Sequence, residues 1–393
     1  MSYVYHSILD WIIFRPQEWA MSGSFYPYVG DNLPYMIGLR ISEVIFGFIG
    51  WLLNLIIPMW TPETSWLLWE GTLNAFAVVF EVVIIFGVGF IINLTMIWEE
   101  RKILGRLMDR RATRIGPLGY LQCLADGLKT FCKENVVPKA IDKKIYWWGL
   151  SLVIGTSVLI ACMVPLSSRW YIVNYDAGLL VIFGLFALAP FLILCAGWAQ
   201  NNKYSLIGGM RAAELMISYE VPMLIMLATV CFSAETYTIG GIVQAQFDTV
   251  WYIVPQIIGF CAFLVAAIAE SERVPFDLSE AEAELVEGWQ TEYAGMKWGL
   301  IMLGDYFRGY VACAFIVILY LGGWMLPVVG ETAVPELIFI GKVCLVFALF
   351  VIARGTFPRV RTDQILNIGW KVLMPMAVVN LALVVVLKMV GWL

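Results

Sequence analysis

Eight apolar runs, each about as long as a helix needs to cross a bilayer, recur along this chain and leave it one class of fold. They lie at Asn74–Trp98, Trp147–Val164, Leu179–Trp198, Leu215–Phe232, Trp251–Ala269, Trp298–Tyr320, Leu337–Ala353 and Val372–Met389. Backbone surrounded by hydrocarbon must satisfy its own amides and carbonyls, so membrane spans are helices or closed barrels. The runs lack the ten-residue alternation of barrel strands, which predicts an all-α, polytopic transmembrane helix bundle with eight core spans. Composition agrees, with 61% hydrophobic residues, 14% charged residues and a mean hydropathy of +0.81, against about 45–50% apolar and 25% charged in soluble domains.

Residues 1–70 read as an N-terminal extension, and residues 71–393 as the transmembrane domain. The extension is rich in Trp, Tyr, Pro and Gly, the chemistry of an interfacial segment. Within it, Ile37–Pro58 is as long as a span but carries Arg40, Glu43 and Asn54, so an extra transmembrane helix and a helix lying in the interface both remain open. The opening MSYVYHSILDWIIF has no basic n-region, and a cleaved signal peptide is not expected. The eight cysteines and single histidine form no CxxC, haem or iron–sulfur spacing. Lys and Arg populate the connections after the first, third, fifth and seventh runs, so the excess of positive charge places those connections in the cytoplasm. The basic patches mark topology rather than nucleic acid.

Two of these connections carry patterned residues. In LQCLADGLKTFCKE, Leu121, Leu124, Leu128 and Phe131 recur one turn apart, with Asp126, Lys129 and Lys133 off the stripe. That spacing predicts an amphipathic helix lying on the membrane or on a protein surface. The stretch Ala267–Lys297 holds seven glutamates and one aspartate between two apolar runs. Ser279 followed by Glu282 reads as a capping box for a short helix Glu280–Glu287, closed by Gly288. At about 100° per residue, Glu280, Glu284 and Glu287 then share a face and Glu282 points elsewhere. A solvated acidic face is one reading; a proton site is the other. The second gains weight because Glu270 and Glu272 adjoin the end of a span, with Arg273 placed to pair with one of them.

Further ionisable residues lie in or beside the runs: Glu81, Glu100 with Arg101 and Lys102, Glu214, Glu220, and Asp305 with Arg308. Glu100 and Lys102 also fit ordinary helix-end charges, and Glu81 a single hydrogen-bonded polar site. Glu220 precedes Pro222, where a freed carbonyl and a kink admit water. A proton or ion route through Glu220, the acidic stretch and Asp305 is therefore a candidate function.

The segments ERKILGRL, LQCLADGLKTFCKE, GWAQNNKYSLIGGMRAAELMISYE, ESERVPFDLSEAEAELVEGWQTEYAGMKWGL and FPRVRTDQILNIGWKVLMP, in that order, resemble the quinone-proximal membrane subunit of respiratory complex I. The resemblance runs from about residue 74 to the end. It implies a subunit of a proton-pumping NADH:quinone oxidoreductase that lines part of the quinone channel. It also implies quinone as substrate and no flavin, haem or iron–sulfur centre of the chain's own. The implied partners are the peripheral-arm quinone-site and iron–sulfur subunits, the small and antiporter-like membrane subunits, and lipid, with no nucleic acid. The implied location is an energy-transducing membrane, the prokaryotic plasma membrane, with the acidic loop on the cytoplasmic side. Carried onto this sequence, the proton-coupling path corresponds to Glu220, Glu270, Glu280, Glu282, Glu284 and Asp305, with Arg273 as counter-charge. Glu100, Arg101, Lys102, Asp126 and Lys129 match motifs near the quinone channel.

The chain departs from the family in several places. RRATRIGP, Arg110–Pro117, is one residue shorter than the corresponding loop; Ser271–Glu272 replaces a small polar pair and adds a carboxylate. Asp305 stands where Glu is common, and Glu214 where many relatives have a small residue. An equivalent membrane subunit of a hydrogenase or F420H2-type complex is the alternative within the lineage. A stand-alone proton-coupled transporter would be built from internal repeats, and the two halves show no self-similarity.

Overall fold

A computed structural model describes residues 62–171, 176–279, 281–327, 330, 332 and 334–391; the side chains of 62–78, 81, 282 and 283 lie outside the described set, as do Ile37–Pro58 and Glu280. The chain divides into two compact units, one of residues 1–87 with 168–174 and one of residues 88–167 with 175–393. The acidic stretch and the residues it meets lie in the second unit.

The regular secondary structure of the described residues is helical, with a single isolated bridge between Leu326 and Gly330 as the only β-pairing among them. In chain order these are α1 (Pro62–Leu107), α2 (Leu121–Cys132), α3 (Lys143–Met163), α4 (Gly178–Phe186), α5 (Ala189–Ala199), α6 (Lys203–Ala234) and α7 (Ile239–Asp248). They continue as α8 (Ile257–Glu270), α9 (Glu282–Leu285), α10 (Met296–Tyr320), α11 (Pro335–Thr356), α12 (Thr362–Asn367) and α13 (Met374–Met389). Seven helical stretches are long and apolar enough to cross a membrane, and Ile257–Glu270 is a shorter apolar helix. The polytopic bundle expected from the apolar runs is thus present, with altered bounds.

Each alteration has a local cause. The first span continues past Trp98 through ERKILGRL to Leu107, so Glu100, Arg101 and Lys102 are helical rather than loop residues. The fifth run, expected from Trp251, becomes helical only at Ile257, because Pro255 lacks an amide and disfavours helix at the residue before it. Fourteen residues span about 21 Å at 1.5 Å each, short of the hydrocarbon thickness. The third run breaks between α4 and α5, where Pro190 cannot donate to the Phe186 carbonyl. In α6, Pro222 leaves the Ser218 carbonyl free, and that carbonyl faces Gly369 in a π-helical turn (Ile368–Leu373) leading into α13.

The core is a set of small-residue contacts between helices that lipid alone would not draw together. α6 packs on α5, α8 and α13, and α10 packs on α3 and α11. A Cβ on Gly197 would lie 2.7 Å from the Ser205 carbonyl oxygen, and one on Gly149 3.3 Å from Ala196 Cα, so these backbones approach as closely as glycine allows. α10 is the most enclosed span: Phe307 and every residue from Tyr310 to Tyr320 are buried. Its far end is fixed by Lys342, whose Nζ donates to the carbonyls of Leu321, Gly323 and Met325 at 2.7, 2.8 and 2.7 Å.

Candidate functional site: a buried chain of ion pairs

The acidic stretch is folded down onto α6, α8 and α10 instead of standing in water. The expected helix Glu280–Glu287 is not formed. Helix α9 covers only Glu282–Leu285, its N-cap is Ala281, and Val286 and Glu287 both have positive φ (66° and 136°). The capping box fails because Ser279 is occupied: its hydroxyl donates to Glu272 Oε1 at 3.0 Å, seven residues back, which draws the chain inward. Gly288 opens a single 3-10 turn instead of ending the helix. Gln200 anchors that turn, donating to the Trp289 carbonyl and accepting from the Glu292 amide at 3.2 Å. Tyr146 adds a hydrogen bond to the Glu292 carbonyl at 3.0 Å and stacks on Tyr293 with ring centroids 4.6 Å apart.

Beneath this loop lies a continuous set of charged side chains. At its outer edge Arg359 pairs with Asp277 at 3.2 Å, while the Val360 amide donates to the Pro275 carbonyl at 3.1 Å. Further in, Glu100, 4% exposed, accepts from both Arg273 and Arg354 and from the Tyr306 hydroxyl. Arg273 lies 4.5 Å over the Tyr306 ring and 5.2 Å from the Phe347 centroid, so a cation and two aromatic faces share the position. Next, Arg308 pairs with Asp305 and lies 3.5 Å from Glu272. Glu270, at the end of α8 and 1% exposed, lies within electrostatic reach of Glu272, Arg308 and Glu220 of α6. Glu220 and Glu270 each keep a buried carboxyl oxygen without a hydrogen-bond partner.

The electrostatics of the loop residues follow from burial set against these pairings. Burial pushes the Glu272 carboxyl up to about 7, against the pull of the Arg308 guanidinium and with a push from Asp305. Burial also raises Asp277 despite Arg359 and Arg354. For Arg273, burial favours the neutral form, but Glu100 outweighs it and the guanidinium is held more firmly charged than usual.

A second group forms beside α2. Burial opposes the charge on Asp126, yet its ion pair with Arg101 and a 3.2 Å hydrogen bond from Gln122 win and hold its carboxyl below the usual range. Lys102 reaches the Thr113 carbonyl at 3.4 Å, and Trp98 Nε1 donates to the Leu118 carbonyl at 3.0 Å. Helix α2 carries the expected apolar stripe, and Leu121, Leu124, Leu128 and Phe131 are all exposed.

Of the residues singled out by sequence, Glu220, Glu270, Arg273 and Asp305 come together, and Glu100 joins them instead of the Arg101 group. Arg273 pairs with Glu100, not with Glu270 or Glu272 as the local sequence suggests. Glu284 is exposed and pairs with Arg211 at 2.7 Å, away from the buried chain. Lys129 and Glu214 are exposed. Glu280 and the Glu282 side chain are outside the described residues. Arg354, Tyr306, the Asp277–Arg359 pair and the hydroxyl of Ser279 are the participants that sequence reasoning missed; Arg354 and Tyr306 lie 254 and 206 positions from Glu100, Arg359 82 from Asp277 and Ser279 7 from Glu272, and only the last was within sequence reach.

The chain is similar to known proteins over most of its length. The family model described as NADH dehydrogenase matches residues 80–385. The H subunit of the NADH-quinone oxidoreductase of Paramagnetospirillum magneticum is 39% identical over 300 residues, 75% of this chain and 88% of the relative. Its counterpart in Geobacillus thermodenitrificans is 39% identical over 321 residues, 78% of this chain and 95% of the relative. That of Bacillus thuringiensis is 39% identical over 299 residues, 74% of this chain and 88% of the relative.

Proposed function

The chain belongs to the family of H subunits of NADH-quinone oxidoreductase, a membrane subunit of complex I, and from that membership we propose that its buried ion-pair chain couples quinone reduction to proton movement. The observation that carries the reading is a charge imbalance. Among the described residues, four guanidinium groups, of Arg273, Arg308, Arg354 and Arg359, meet six carboxyls, of Glu100, Asp277, Asp305, Glu272, Glu270 and Glu220. An isolated buried charge costs several kcal/mol, so the cluster as a whole calls for two more positive charges. A proton is the cation small enough to supply them without a cavity.

The chain of groups begins beside the face where Arg101, Lys102, Asp126 and the exposed stripe of α2 gather. That face supplies what a quinone needs: apolar surface for its tail and paired charges at the end of a span. It is proposed as this subunit's share of the quinone channel, with the electrons arriving from an iron–sulfur centre in a peripheral-arm subunit. Reduction of a quinone to a quinol takes up two protons, and the field of that change acts first on Glu100 and Arg273. The shift passes through Asp305, Arg308 and Glu272 to Glu270 and Glu220, and from there toward the antiporter-like membrane subunits. The acidic loop is assigned to the cytoplasmic side of the energy-transducing membrane by the positive charge of its neighbouring connections.

The test uses the assembled complex carrying Glu220→Gln or Glu270→Gln. Both variants co-purify with their partners and still oxidise NADH with a soluble acceptor, while quinone-linked turnover or its proton-to-electron ratio falls by about tenfold or more. Wild-type turnover and ratio in both variants would remove the proposal.

A further inference from the structure

We propose that Glu272 is an additional proton-holding residue of this network, a carboxyl that competes with Asp305 for the single Arg308 guanidinium and relays its proton to Glu270. The inference rests on the function proposed above and adds a residue and a device to it.

Backbone geometry is the first sign that this side chain is placed on purpose. Glu272 follows the C-terminus of α8 with φ 49°, a left-handed conformation that glycine or asparagine adopts far more readily than glutamate. Here the turn aims a carboxyl into the protein, where it is 7% exposed. Oε1 accepts from Ser279, and Oε2 faces Nη2 of Arg308 at 3.5 Å. That same nitrogen holds Asp305 Oδ1. One nitrogen thus serves two carboxylates, held closely by one and loosely by the other.

The groups facing Glu272 among the described residues come from three elements. They are Arg308 and Asp305 from α10, Ser279 and Asp277 from the loop, and Glu270 from α8. With Glu272 protonated, Arg308 stays with Asp305 and is no longer drawn toward Glu272. With Glu272 ionised, Arg308 is drawn from Asp305 toward Glu272, and the field at Glu270 changes with it. The step is one proton: Glu272–COOH and Glu270–COO⁻ become Glu272–COO⁻ and Glu270–COOH, with the charge of the pair unchanged and Arg308 following the vacated carboxylate. Ser279 accommodates both states, because a hydroxyl donates to the carboxylate and accepts from the acid. Burial raises the Glu272 carboxyl to about 7, so both states are populated near neutral pH.

Three variants test this in the assembled complex. Glu272→Gln keeps the side-chain length, Glu272→Asn suits the left-handed backbone, and Glu272→Asp keeps a carboxyl. Quinone-linked turnover is measured from about pH 5.5 to about pH 9, beside Glu220→Gln as reference. Wild type and Glu272→Asp show an inflection near neutral pH, and Gln and Asn lose it. Infrared titration shows a carboxyl band disappearing near neutral pH in wild type and absent in Glu272→Asn. If Gln and Asn keep the wild-type profile and the band while Glu220→Gln is inactive, this inference fails and the proposed function stands. If Glu220→Gln and Glu270→Gln both have wild-type turnover and proton-to-electron ratio, the proposed function fails, and loss of the band in Glu272→Asn still identifies the proton holder.

Discussion

Replacing Gly208 by alanine is expected to move the acidic loop as a body. A Cβ at that position would lie 2.6 Å from Gly288 Cα and 2.7 Å from both the Gly288 carbonyl carbon and the Trp289 nitrogen. Carbon contacts settle at about 3.5–4.0 Å, so α6 and the loop must separate by roughly 1 Å. All three obstructing atoms are backbone, and no rotamer change relieves them. Sideways escape is blocked too, because Trp289 is fully buried and its carbonyl is held by Gln200. Overpacking of this kind costs about 1–3 kcal/mol, which a large bundle survives. The catalytic effect is of similar size but shows directly in the rate: a displacement of about 1 Å in positioned groups costs about 10²-fold, roughly 2.7 kcal/mol, and this loop carries Ser279 and Asp277 onto the ion chain. The assay is quinone-linked turnover of the assembled complex, with soluble-acceptor oxidation of NADH as the internal control. Gly155→Ala is the matched comparison, since nothing lies within 4 Å of its added Cβ. Wild-type turnover in Gly208→Ala, with assembly intact, would refute the claim that the loop's position against α6 sets the coupling geometry.

Other expectations follow from the same contacts. Arg273→Met leaves Glu100 with the Tyr306 hydroxyl and one described guanidinium, that of Arg354, itself 38% exposed, and should destabilise the subunit by about 3–5 kcal/mol; thermal unfolding of the detergent-solubilised complex checks this, and Arg273→Lys should not restore it, because lysine lacks the planar fork that bonds Glu100 while covering Tyr306. Lys342→Met removes three carbonyl partners at the end of α10 and should speed amide exchange across Leu321–Met325, with a loss of about 2 kcal/mol or more. Single cysteines at Lys129 and Glu284, both exposed, should label from the same side of the membrane, and labelling from opposite sides contradicts the cytoplasmic face proposed for both. Between its ordinary value of 4.5 and about 7 the folded Glu272 holds a proton that the unfolded chain has released, so its contribution to stability falls as pH rises through that window. Glu272→Gln should flatten the melting temperature over the same range.

Much of the architecture was legible because hydrocarbon permits so few backbone solutions: run length and the positions of Pro190, Pro222 and Pro255 account for the helices and their breaks. The amphipathic stripe of α2 was legible for the same reason, being periodic and local. The acidic loop was not. Its sequence satisfies every local rule for a capped helix, yet Ser279 has a better partner in a buried carboxylate than in the free amide of a solvent-exposed turn, and tertiary demand overrides the cap. Arg273 was misassigned for a related reason. Its neighbours in sequence are Glu270 and Glu272, but the guanidinium finds Glu100 across the bundle, 173 positions away. Nothing in the spacing of ERK and ESER announces that meeting, while Asp305 and Arg308, three apart on one helix, pair as their spacing suggests.

Stability alone does not explain why an apolar protein keeps these charges. Burying an ion pair costs desolvation that its attraction barely repays, and well-packed apolar side chains of the same volume serve as well or better. A core built for rigidity would place leucine and phenylalanine where Glu100, Arg273, Asp305 and Arg308 now sit, as α10 does from Val311 to Leu319. What charged groups provide and hydrocarbon cannot is response: among the described residues, Arg308 and Glu100 each meet two groups of opposite charge, and each contact weakens when the other strengthens. A charge change at the outer end of such a chain alters every pairing along it. Among the described residues, the two carboxyls at the inner end, Glu270 and Glu220, have no cation in direct contact with which to resist that change.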